Sequence, residues 1–154
     1  LVPLGMTHSS FEWLPELHPT TAIPYDANGG QLPNYLFTAK AASGLFSTAS
    51  DIARFIAATM SGPNGEPPGR GVLAPETLEM MLSHVGGLGN AYGLGYITMP
   101  MSSGSNMVSH EGSNDGWKSL FAAVPKEGRG IAILTNSDNG RDLTQHILQT
   151  WSSR

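Results

Sequence analysis

The chain predicts an α+β fold in which an antiparallel sheet is flanked by helices. Three observations carry this. Apolar residues recur at helical spacing over Ile52–Met60, and again at Leu78, Met81 and Leu82. From Tyr92 to Asn136 the pattern changes to short apolar runs separated by glycine- and proline-containing turns. A last helical stripe follows, which has one obvious use: covering a face of the sheet.

Residues 1–43 come first, and they lack clear periodicity. Pro3, Pro15, Pro19, Pro24 and Pro33 interrupt them, and Asn28-Gly29-Gly30 signals a turn. A loop this long is unusual in a small domain, so the segment is expected to lean on something outside the chain. The alternative is a loose arm before a domain that begins near residue 40. The opening residues, Leu1 to Met6, have neither an initiator Met at position 1 nor the basic and apolar regions of a leader. The expectation is a start inside a longer gene product.

The helical segment spans residues 48–84. Thr48-Ala49-Ser50-Asp51 predicts a capping box, with the Thr48 hydroxyl and the Asp51 carboxylate both serving end amides. Ile52, Phe55, Ile56, Thr59 and Met60 form the buried stripe, and Ser61-Gly62-Pro63 ends it. A loop rich in glycine and proline runs from Asn64 to Gly71. The second helix opens on Pro75, where the missing N–H is harmless, with Glu76 beside it. Gly86-Gly87 is expected past its end. Its methionines are expected to be core packing.

Strands are predicted over residues 92–136. They are Tyr92–Met99, Asn106–His110, Lys118–Val124 and Gly130–Thr135, with turns at Ser102–Ser105 and Pro125–Gly128. A helix over Arg141–Trp151 would turn Leu143, Ile147, Leu148 and Trp151 toward the sheet.

Composition excludes several functions. Twelve acidic against eight basic side chains give a formal net charge of -4, and no basic stripe exists to bind nucleic acid. Cysteine is absent, which removes disulfides, zinc-thiolate sites and cysteine nucleophiles. No run of 18 apolar residues could span a membrane. His8, His18, His84, His110 and His146 have no metal-ligand spacing.

Several stretches, in order, resemble one family. Pro3 to Phe11 resembles its P-L-G-M-T-S-F segment, and Ala42 to Phe55 its A-G-G-L-Y-S-T-A-x-D-L-A-R-F stretch. Leu73 to Thr77 resembles L-S-P-E-T, and Tyr92 to Tyr96 resembles Y-G-L-G-W. His110-Glu111-Gly112 is similar to the H-x-G form of the third active-site motif, and Gly130 to Ser137 to the G-V-V-V-L-T-N strand. The family is that of beta-lactamase-related serine hydrolases: class C beta-lactamases, D-alanyl-D-alanine carboxypeptidases and family VIII esterases.

The resemblance implies a C-terminal half of the beta-lactamase/penicillin-binding-protein-like fold, residues 1–154 being the later part of one domain. Residues 1–43 would be the loop-rich cleft segment and residues 141–152 the closing helix. The family's chemistry uses Ser-x-x-Lys on one helix face. Here Phe37, Asp115 and Ala123 stand three before Lys40, Lys118 and Lys126. Its second motif, Tyr-x-Asn or Tyr-x-Ser, is equally missing after Tyr25, Tyr35, Tyr92 and Tyr96. The expectation is a fragment inactive alone, completed by an N-terminal half in the same or a companion chain. The alternative is a non-catalytic binding or structural module derived from the fold. The implied substrate is a small peptide, ester or beta-lactam, and no cofactor is implied. The resemblance also favours a periplasmic or extracellular location.

For the site, the resemblance implies that His110, at a strand end, helps hold a substrate carboxylate or the hydrogen-bond network around the family's tyrosine. The backbone amide of Ser113 would be an oxyanion donor. Glu111, Gly112, Asn114, Trp117 and Tyr25 are the expected substrate-binding residues, with Trp13 a further lining candidate. Gly112 would let substrate lie close to the strand. Trp117 either lines an acyl pocket or packs under the sheet. Asn114-Asp115-Gly116 is a turn or a bulge. His110 and Glu111 replace the lysine and threonine of class C beta-lactamases, which shifts the expectation from beta-lactams toward peptides or esters.

Overall fold

A computed structural model describes residues 1–84 and 92–153. Its helices are α1 (Lys40–Ser43), α2 (Ala49–Ala57), α3 (Pro75–Leu82) and α4 (Gly140–Ser152). Its strands are β1 (Ile97–Pro100), β2 (Asn106–Asn114), β3 (Trp117–Val124) and β4 (Arg129–Thr135). They form one antiparallel sheet in the order β1-β2-β3-β4. Consecutive strands are neighbours because each junction is a short turn. Asp115-Gly116 joins β2 to β3, with Gly116 at φ 75, and Gly128 closes the next turn at φ 67.

Side chains alternate across the sheet, so each strand feeds two layers. Val108, Phe121, Ala123 and Ala132 pack with Ile52, Phe55 and Ile56 of α2 and with Met60 just past its end. Met107, Leu120, Ala122, Val124 and Ile133 pack on the other face against Ile147, Leu148 and Trp151 of α4. Val108 and Val124 are fully buried, and each such side chain contributes about 1.5–3 kcal/mol relative to exposure. Arg129 stacks its guanidinium 4.7 Å from the Trp151 ring and donates to the Trp151 carbonyl, fixing the end of α4 to the start of β4.

The predicted cap of α2 forms, since the Asp51 N–H donates to Thr48 Oγ1 at 3.2 Å. The Asp51 carboxylate does something else. It accepts from the His8 N–H and the Ser9 hydroxyl, both at 2.8 Å, and pairs with Arg54. It thereby holds the N-terminal residues onto α2 rather than serving its own helix end.

Other boundaries shift for local reasons. Tyr92 to Tyr96 is a turn rather than a strand: Gly95 sits at φ 83 and the Gly93 N–H donates to the Tyr96 carbonyl. β2 runs four residues past His110, which is therefore mid-strand rather than at a strand end. Leu143 is 52% exposed, and Gly140 and Thr144 take its expected place under α4. Gly140 faces Thr135 so closely that a Cβ there would lie 1.8 Å from its hydroxyl. The expected Gly86-Gly87 turn lies outside the described residues.

The largest correction concerns residues 1–43, which were expected to need support from outside. Their partners are within the chain. Ser10 bridges Phe46, and Tyr25 bridges both Gln31 and Ser137. Asn136 and Asn139 donate side-chain amides to the carbonyls of Ile23 and Ala27, both at 2.8 Å. Asp26 closes its own turn by accepting from the Asn28 and Gly30 N–H groups. Residues 21–32 thus form a strap across the end of β4. Polar main-chain groups find hydrogen-bond partners there that no periodicity could foretell.

Candidate active site

Where β1 stops, β2 continues. The β1 pairing covers β2 only from Asn106 to Ser109. Among the described residues, no strand pairs with His110–Asn114 on that side. The direction of the backbone groups follows from the hairpin. Asn114 and Trp117 close a two-residue turn, so they form the mutually hydrogen-bonded kind of pair. Alternation then points the N–H and C=O groups of Gly112 toward β3, and those of Glu111 and Ser113 outward along the open edge.

Side chains divide between the two faces. His110, Gly112 and Asn114 lie opposite Phe121, Ser119 and Trp117, all on the α2 side of the sheet. The His110 ring is half-buried and stacks 6.4 Å from Phe121. Trp117 is half-buried on the same face, and Asn114 donates to the Ser43 carbonyl at 3.2 Å. A Cβ at Gly112 would lie 2.3 Å from Ser119 Oγ, so a side chain here would require that hydroxyl to turn away.

Glu111 and Ser113 turn their side chains to the α4 face. Glu111 accepts from Gln145 at 2.9 Å and Arg141 at 3.4 Å, so its carboxylate is committed to α4, away from His110. Ser113 is exposed and stands opposite Lys118, whose ammonium is held by Asp138 and the Asn114 carbonyl. That lysine is paired as a cation and is no base for the Ser113 hydroxyl.

Tyr25 reaches the hairpin tip through its backbone: a Cβ at Gly116 would lie 3.2 Å from Tyr25 N and 2.6 Å from Pro24 Cβ. Trp13 is engaged by His18 and Phe46, with ring centroids 4.5 and 4.7 Å away. The structure thus brings His110, Gly112, Asn114 and Trp117 onto one face, and sets the Ser113 amide on the edge beside them. A groove of about 540 Å³ lies elsewhere, on the α4 face, and is lined by Met99, Met107, His146 and Leu148 among others. It contains none of the expected site residues.

Sequence reasoning missed Lys118, Asp138, Arg141 and Gln145. Their partners are 20 to 34 residues away along the chain, and no spacing rule links them. The one local signal was Asp115-Gly116, which fixes the hairpin and so brings Lys118 opposite Ser113.

The family model described as beta-lactamase matches residues 1–151. The chain belongs to the beta-lactamase family. A human protein named beta-lactamase-like 1 is 27% identical over 139 residues, which is 87% of this chain and 27% of that protein. The octameric penicillin-binding protein homologue from Pyrococcus abyssi is 27% identical, with a TM-score of 0.66 over 90% of this chain and 32% of that one. A beta-lactamase/D-alanine carboxypeptidase from Pseudomonas syringae shares the fold at a TM-score of 0.73 and 19% identity, over 96% of this chain and 50% of that one.

These findings correct the expected C-terminal half. The match to the beta-lactamase family and its α+β architecture extends over nearly the whole chain rather than a C-terminal portion. The expected fragment, inactive alone and completed by a companion N-terminal half, is not supported. The physical counterpart is the N-terminal segment, which docks on α2 through Asp51 and on Asn136–Asn139, the link between β4 and α4 of the same chain. The chain spans about a quarter to a half of the length of these relatives. No described helix of this beta-lactamase-family chain is long and apolar enough to cross a membrane.

Proposed function

We propose that the protein acts on an amide or ester bond, as the serine hydrolases it resembles do, and that the open edge of β2 is the wall on which the substrate lies. The carrying observation is the step in the sheet: β1 ends opposite Ser109, and the backbone groups of Glu111 and Ser113 face the space beyond. An extended acyl group or peptide can pair with such an edge through main-chain hydrogen bonds. The Ser113 N–H is the oxyanion donor in this reading, a role worth about 10²–10³ in kcat where such donors have been removed. Gly112 leaves the α2 side of that edge clear. His110 binds a substrate carboxylate or the proton network of the acyl centre. Asn114, Trp117 and the Tyr25 strap bound the same end.

The Glu111 carboxylate is tied to Arg141 and Gln145, so its part is to orient the edge, not to touch substrate. His110 and Glu111 stand where class C beta-lactamases have lysine and threonine, which favours small peptides or esters over beta-lactams. A periplasmic or extracellular location goes with this reading, on the likeness to class C beta-lactamases. The test is to assay the whole protein on a p-nitrophenyl ester, a D-alanyl-D-alanine peptide and a chromogenic cephalosporin, alongside His110→Ala. Ester or peptide turnover that falls about 10²-fold in His110→Ala supports the reading. Absence of all three activities in the unsubstituted protein would sink it.

A further inference from the structure

Asp138 stands where three segments meet. Its Oδ1 accepts from the Gly116 N–H at 2.8 Å and from the Lys118 ammonium at 2.6 Å. Lys118 also donates to the Asn114 carbonyl at 2.9 Å. The Asp138 N–H donates to the Tyr25 carbonyl at 3.0 Å. One short sequence after β4 therefore holds both sides of the hairpin tip and the strap. The Lys118 and Asp138 side chains are only 14% and 29% exposed, so the pair is shielded more than a surface ion pair.

The location matters because of the step in the sheet. Among the described residues, from His110 onward β2 pairs with β3 and with no other strand, and a hairpin end paired on one side is where a sheet opens most easily. An oxyanion donor must be held to within about 0.5 Å. The Ser113 amide lies at that vulnerable end, directly across from Lys118.

We propose that Asp138, acting through Lys118 and Gly116, is a positioning residue that locks the hairpin tip so that the Ser113 amide and the Tyr25 strap keep a fixed relation. This rests on the hydrolase reading above. The bond from Lys118, and after it that from Gly116, hold the Asp138 carboxyl below the usual range despite burial, so Asp138 stays a carboxylate at neutral pH. Asp138 touches no reacting atom. Its effect passes through the backbone it holds.

The experiment uses the whole protein with Asp138→Ala, Asp138→Asn and Lys118→Met. Amide hydrogen exchange is read at Asn114, Gly116, Trp117 and Tyr25, and at the mid-sheet residues Leu120, Ala122 and Ile133. Kinetics on the ester or peptide substrate are read in parallel. The expected result is exchange at the tip and strap faster by about tenfold or more, with the mid-sheet amides unchanged. With it, kcat falls about tenfold while KM stays within about twofold. Asp138→Asn, which keeps an oxygen for Gly116, is expected to fall between. Unchanged exchange at the tip, or exchange raised equally through the sheet, overturns the proposal. So does a loosened tip with unchanged kcat. If the unsubstituted protein hydrolyses none of the ester, the peptide and the cephalosporin, the hydrolase reading falls and the positioning role with it. The exchange data then report separately whether the lock exists.

Discussion

Asp51 keeps its charge although no part of its side chain reaches solvent. Burial alone would push its carboxyl up, but the Ser9 hydroxyl, the His8 N–H and the Arg54 guanidinium together hold it below the usual range. Asp138 is lowered as well, by Lys118 first and by Gly116. The sign follows. A carboxylate with a depressed folded-state value contributes stability above the ordinary aspartate range, and loses it as pH falls through the lower folded value. Asp51→Asn is therefore expected to lower Tm at neutral pH and to flatten the fall in Tm from about pH 4 downward, as thermal melts across that range will read. Arg70 follows a related logic. It holds φ 46, a left-handed conformation costly for a side chain, while its guanidinium collects the carbonyls of Ala57, Met60, Glu66 and Pro67. The Thr48 cap was legible because its partner is three residues away. The partners of Asp51 at His8 and Ser9 are more than forty residues away, and only the folded chain reveals them.

At the scale of elements, the β2–β3 hairpin has the most stringent requirement. Gly116 needs a positive φ, and its missing side chain lets Pro24 approach. Gly116→Ala should cost about 1–3 kcal/mol in urea unfolding, since the new Cβ meets Pro24 Cβ at 2.6 Å in a conformation that L side chains avoid. Elements whose signals are local were legible: α2 from its cap and stripe, α3 from Pro75, β3 and β4 from paired apolar runs. The site strand was only half legible. The apolar character of β2 ends near His110, because among the described residues no strand pairs with the rest of it on that side. Period alone therefore stopped the strand too early. Leu143 misled for a different reason. Close approach of α4 to Thr135 at Gly140 rotates the helix so that Thr144 faces inward.

At the scale of the molecule, the sheet lies between α2 on one side and α4 on the other, and the strap ties one end together. Asn136 and Asn139 are its rivets. Replacing both by Ala should speed proteolytic cleavage within residues 20–32 while the far-UV circular dichroism of the sheet and helices is retained. Equal cleavage rates would show that the strap is held by other means. The strap also orders events in time. Asn136 reaches Ile23 across 113 residues of chain, so the strap has nowhere to dock until β4 has left the ribosome and paired. Loop closure over such a span is slow compared with forming the β2–β3 or β3–β4 hairpins. Until it happens, Pro24 and Tyr25 leave the turn at Gly116 uncovered, and the sheet end stays open to other chains. The contacts of the strap around the candidate site are thus expected to form last, after the sheet itself.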